Sequence, residues 1–153
     1  MALPELLRDA LREVLYGPDG LRGLFSGPGD GLLHTVHAFT LAQARTAPPG
    51  LPVPARQVLA LRHTLELTVA RLSDPAALLT DPTEPAGWTP ADAGAWRAEL
   101  MQLARAGQAL YDALYSPLTP EGQREAAGAV LHAAREAAAL RASLLVWQAQ
   151  PSP

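Results

Sequence analysis

Two copies of one start signal constrain this chain most. Thr89-Pro90-Ala91-Asp92 and Thr119-Pro120-Glu121 each set a hydroxyl, a proline and an acid ahead of a long apolar repeat. A Thr cap, a Pro at the first helical position and an acid in the first turn mark a helix N-terminus. Behind the first signal, Trp96, Leu100, Leu103, Gly107, Leu110 and Leu114 recur at helical spacing, with Arg97, Gln102, Arg105 and Asp112 turned away. Behind the second, Val130, Ala133, Ala137, Leu140, Leu144 and Trp147 do the same. The spacing predicts helices over 91–115 and 121–148. Gly107 lies inside a core stripe, where the missing side chain predicts close approach by a neighbouring helix.

The same reading applies upstream. Leu3, Leu6, Leu7, Ala10, Leu11 and Val14 predict a helix over 3–16, ended by Gly17-Pro18-Asp19-Gly20. A single helical turn is expected for Leu21 to Phe25. Leu32, Val36 and Phe39 predict a helix over 31–45, and residues 47–54, with four prolines, read as an extended connection. In 55–72, Val58, Leu61, Leu65, Val69 and Leu72 form one apolar line; Leu59, His63 and Leu67 form a second on another side. A helix apolar on two faces is central in its fold or lies at a subunit interface, and the second line makes this helix the candidate contact of a homodimer. Ala76 to Leu79 reads as a short turn, and 80–88 as a surface crossing.

The chain is therefore expected to be all-α: one domain over 1–149, with 150–153 a disordered tail. The order of elements suggests a four-helix bundle running up-up-down-down, with 3–16 an additional or broken first helix. Its 153 residues are enough for a proper core. Lys, Ile, Asn and Cys are all absent, so its 12 basic residues are arginines. Since Lys, Ile and Asn share AT-rich codons, the arginines reflect a GC-rich genome and are no sign of phosphate binding. A net charge of -3 argues against nucleic acid as a partner. The absence of cysteine removes disulfides and thiolate chemistry and suits a cytoplasmic location. The first residues do not read as a signal peptide, no apolar run reaches bilayer length, and no motif indicates an organic cofactor.

The chemistry-bearing candidates are histidines. His132 and Glu136 are four apart on one helix face, the spacing at which a helix offers two ligands to a divalent ion. His63, on the two-faced helix, is the third candidate. The competing reading makes it a core histidine bonded to a carbonyl or to a carboxylate such as Glu66. His34 and His37, three apart, read as surface or hydrogen-bonded residues before they read as ligands. Arg141 falls within an apolar face and should need a carboxylate partner or a route to solvent.

Over roughly residues 31–148 the chain resembles the DinB/YfiT-like family of helical bundles. The resemblance rests on Gly50-Leu51-Pro52 ahead of His63, a Pro- and Trp-containing crossing, a third helix opening near Ala95-Trp96, and His132-Ala-Ala-Arg-Glu136 in the last helix. It departs where Glu136 stands in place of the family's third histidine. The resemblance implies a Zn, Ni, Mn or Fe site of His63, His132 and Glu136; Glu125, Glu66 and Arg141 are the candidates to stand around such an ion. The implied activity is metal-dependent hydrolysis or transfer on a small molecule of unknown identity. The alternative is a metal-free bundle acting as a homodimeric interaction or structural protein.

Overall fold

The computed structural model describes residues 2–19, 23 and 29–150. It is all-helical, with no strand among the described residues. In chain order the helices are α1 (Leu3–Tyr16), α2 (Leu32–His37), α3 (Leu41–Ala44), α4 (Pro54–Ser73), α5 (Ala93–Ala113) and α6 (Pro120–Ala149), with one 3-10 turn (Pro85–Gly87) before α5. The turn expected at Leu21 to Phe25 and the tail from Pro151 lie outside the described residues, Gly23 excepted.

The start signals act differently at the two helices. In α6, Thr119 Oγ1 accepts from the Gly122 amide at 3.0 Å and Pro120 takes the first helical position. In α5 the helix begins later than expected. Asp92, not Thr89, is the cap, its Oδ1 accepting from the Ala95 amide at 2.8 Å. The expected helix over 31–45 is two short ones. Thr40 and Gln43 form a reciprocal capping box that starts α3 afresh, while α2 ends at His37. Such a box satisfies amides that a continuous helix would already have paired, so it stabilises the break. Leu32, Val36 and Phe39 are nevertheless all buried.

α4 packs most extensively on α5 and α6, α6 also on α1, and α1 on α5. The contacts fix the directions. Arg62 meets Glu99, and Arg56 meets Trp88 just ahead of α5, so α4 and α5 run parallel. Leu72 lies beside Gly122 and Gln57 bonds Glu136, so α6 runs against α4. Leu15 lies against Gly107 while Arg8 donates to the Leu114 carbonyl, so α1 runs against α5. α4 and α5 thus run the same way with α6 and α1 against them, whereas an up-up-down-down order of 31–45, 55–72, 91–115 and 121–148 would have set α5 against α4. The parallel α4–α5 pair is what requires the long crossing between them.

Gly107 shows the close approach its position implied. A Cβ there would lie 2.8 Å from Leu15 Cδ2, and Leu15 is fully buried. α1 also covers the C-terminal end of α5. Arg8 Nη1 donates to the Leu114 carbonyl at 2.9 Å and its guanidinium lies 4.2 Å from the Tyr115 ring centroid. At the other end of α1, Gly17 at φ 85° turns the chain, and Gly31 packs directly on the Tyr16–Gly17 backbone. α2 therefore starts where α1 stops and packs on α1, α5 and α6.

Candidate functional site: a buried arginine–carboxylate cluster

Arg62, which no motif singled out, sits at the centre of the most concentrated polar chemistry. Position 62 lies between the two apolar lines of α4 and is turned toward α5. Its guanidinium is almost wholly buried and uses all three nitrogens. Nε donates to Glu99 at 2.6 Å, Nη1 to both oxygens of Glu66 at 3.0 and 3.1 Å, and Nη2 to Asp81 at 2.9 Å. Glu99, projecting from α5, is itself buried. A planar guanidinium with its donors in a fixed fork suits such multiple pairing; a lysine would not. Removing one partner of a buried ion pair costs about 3–5 kcal/mol, because the other charge is left without water.

Asp81 ties the crossing into this cluster. Its Oδ2 meets both Arg62 Nη2 and His63 Nε2, the latter at 3.1 Å, while Oδ1 accepts from the Thr83 amide at 2.9 Å. These partners, the Thr83 amide first and then Arg62, hold the Asp81 carboxyl well below the usual carboxylate range. For Arg62, burial works to lower the pKa, but the hydrogen bonds to Glu99, Asp81 and Glu66 outweigh it and raise the guanidinium above its ordinary value.

The sequence candidates are distributed around this cluster. His63 is a core histidine bonded to a carboxylate, but that carboxylate is Asp81; Glu66 belongs to Arg62. Glu136 is half-buried and accepts from Gln57 Nε2 at 3.2 Å. His132, half-buried, lies one turn from it on α6. Gln57 and His63 are six residues apart on α4, which places them roughly 120° apart around the axis and about 9 Å apart along it. Glu136 thus reaches the side of α4 that faces α6, while His63 turns to the crossing. Among the described residues no group of three or more His, Asp or Glu is placed to hold a metal. His63, His132 and Glu136 are not gathered into such a group. His34 and His37 are exposed at the end of α2, and Glu125 is exposed on α6. Arg141 found the carboxylate it needed: its Nε lies 3.4 Å from Asp30 Oδ1, with both side chains part-exposed.

The second apolar line of α4 is covered within the chain. Leu59 is buried, His63 nearly so and Leu67 half-buried. This helix is two-faced because it is central. The largest apolar side chains left open lie elsewhere, and two of them, Leu131 and Leu145, are on the outer side of α6, 69% and 50% exposed. They belong to a line Gly128, Leu131, Arg135, Ala138, Ala142, Leu145 and Ala149, every member exposed and spaced alternately three and four apart. No helix is long and apolar enough to cross a membrane among the described residues. No family model matches the chain, and neither a curated protein nor a solved structure matches it.

Proposed function

We propose that this chain is a four-helix bundle of α1, α4, α5 and α6 that works by protein contact, as a homodimer joined through the outer side of α6. One observation carries the reading: an exposed line with the 3.5-residue period by which helices pair, apolar or small at six of seven positions. Exposed leucines joined by alanines and a glycine let a second helix come close without moving bulky side chains. Contiguous apolar surface of this kind on a polar helix marks a contact face. A two-fold pair uses the same face twice, which is the commonest way for a soluble chain to cover it. The clustered polar side chains, Arg62, His63, Asp81 and Glu99, are used in bracing α4 against α5 and the crossing.

Light scattering behind size exclusion at tens of micromolar tests this. The expected mass is twice the 16.1 kDa of the chain. The double variant Leu131→Glu, Leu145→Glu should be a monomer with unchanged helix content, since both side chains are already in water in the single chain. A monomeric parent chain, or a dimer untouched by the two charges, would sink the proposal.

A further inference from the structure

The crossing between α4 and α5 is held in an unusual way. From Ser73 to Thr89 no residue is buried, and Leu78 stands 79% exposed. Four side chains of α4 grip it instead. Arg71 Nε donates to the Ala77 carbonyl at 3.2 Å, Arg56 Nε donates to the Trp88 carbonyl at 3.1 Å, and Arg62 with His63 meets Asp81 midway. The crossing therefore lies along α4 in the opposite direction, over the side that carries Leu59 and His63. Leu59 is only 1% exposed, yet it stands apart from the contiguous apolar core formed by the long helices. It lies one helical turn from His63, on the side of α4 along which the crossing runs. Trp88 packs on the edge of the core and fastens the far end, where the crossing hands over to α5.

From this placement we infer that residues 75–87 form a strap that lifts from α4 as a unit, with Asp81 as its catch. A segment held by side-chain hydrogen bonds and no buried apolar residue opens at a free energy well below that of the whole fold. Its ends are fixed by the Asp74 amide bonded to Ala70 and by Trp88, so opening needs no change in the helices. Lifting the strap uncovers the Leu59–His63–Leu67 line and frees one face of Arg62, while Glu99 and Glu66 keep the guanidinium paired. The strap thus governs access to an apolar side of α4 that the closed form hides. This inference is independent of how α6 is used.

The absence of cysteine makes the test direct. Leu59→Cys places a thiol under the strap; Leu103→Cys places one in the central core, where Leu103 is fully buried. Thiol labelling under native conditions should modify Cys at 59 at least about tenfold faster than at 103, because only the latter needs global opening. Adding Asp81→Asn should speed labelling at 59 about tenfold further, and sub-denaturing urea should speed labelling at 103 steeply while hardly changing 59, because strap opening exposes little surface and global opening exposes much. Equal rates at the two positions, or an equal urea dependence of the two, would show that the crossing opens only when the whole fold does, and labelling at 59 unmoved by Asp81→Asn would remove Asp81 as the catch; either would overturn the inference. Circular dichroism of each variant checks that it is folded. Where Leu59→Cys fails this check, limited proteolysis of the parent chain replaces it: the first cuts should fall within 75–87 and come faster in Asp81→Asn, and cuts spread over the helices would overturn the inference.

Discussion

At the scale of single residues, Asp81 concentrates the most consequence, and it does so through its charge. Its folded-state pKa is depressed, with the Thr83 amide and Arg62 the leading causes. An unfolded Asp titrates at about 3.9. Above that value both states are ionised and the full stabilisation is present. As pH falls below about 4, the unfolded chain takes up a proton that the folded chain does not, so folding stability falls. The loss continues down toward the lowered folded value. Urea denaturation between pH 6 and 2.5 should show stability falling on the acid side, and Asp81→Asn should flatten part of that slope. An unchanged slope would mean that Asp81 is not held as the geometry implies. This cluster was only half legible in the sequence. His63 reads as a buried histidine needing a carboxylate, and it has one. Arg62 and Glu99 were not visible as partners, because 37 positions separate them and helical spacing pairs residues only within a helix. The available signal was Glu99 itself, a carboxylate one position from Leu100 in an otherwise apolar stripe.

Among the elements, the core stripes of α4, α5 and α6 were legible because burial follows period. Leu61, Leu65, Leu100, Leu103, Leu140 and Leu144 are buried as their spacing requires. What the period could not show is where a helix breaks: Thr40 and Gln43 restart the chain inside an otherwise continuous apolar pattern. Leu3 and Leu6 share the apolar periodicity of α1 and are still substantially exposed, because little packs over that end. Two glycines separate the reasons a glycine can be required. Gly31 has an ordinary backbone, φ -59° and ψ 141°, but a Cβ would lie 2.5 Å from the Tyr16 carbonyl carbon and 2.6 Å from the Gly17 nitrogen. Main chain cannot swing aside, so Gly31→Ala should cost about 2–3 kcal/mol, the range of an overpacked core site. At Gly107 the Cβ meets the end of a leucine, and alanine gains about 1 kcal/mol of helix propensity. Gly107→Ala should therefore fall within about 1 kcal/mol of the parent. Urea midpoints order the two, and a Gly31→Ala chain as stable as the parent would remove the close approach of α2 to α1 from the account.

At the scale of the whole molecule, the parallel α4–α5 pair decides which sequence candidates can meet. α6 runs against α4 on one side, so Glu136 and His132 belong to the α4–α6 seam. The crossing returns along another side, and there His63 finds Asp81. Spacing within one helix predicted the pairing of His132 with Glu136 on a face. It could not predict that His63 points around the axis from them, since that depends on which neighbour occupies which side of α4. The arrangement yields a prediction about metal. With the three side chains divided between two seams, purified chain should carry no stoichiometric zinc or nickel by elemental analysis, and added zinc should leave its thermal midpoint unchanged. A ligand that binds only the folded state at 100 times its Kd would add about 2.7 kcal/mol, a shift of several degrees and easily seen. If such a shift appears and His132→Ala abolishes it, the seams must rearrange to gather the ligands, and the metal-dependent reading replaces the contact reading. If the shift survives His132→Ala, the metal lies elsewhere, and the exposed His34 and His37 of α2 are the next pair to remove.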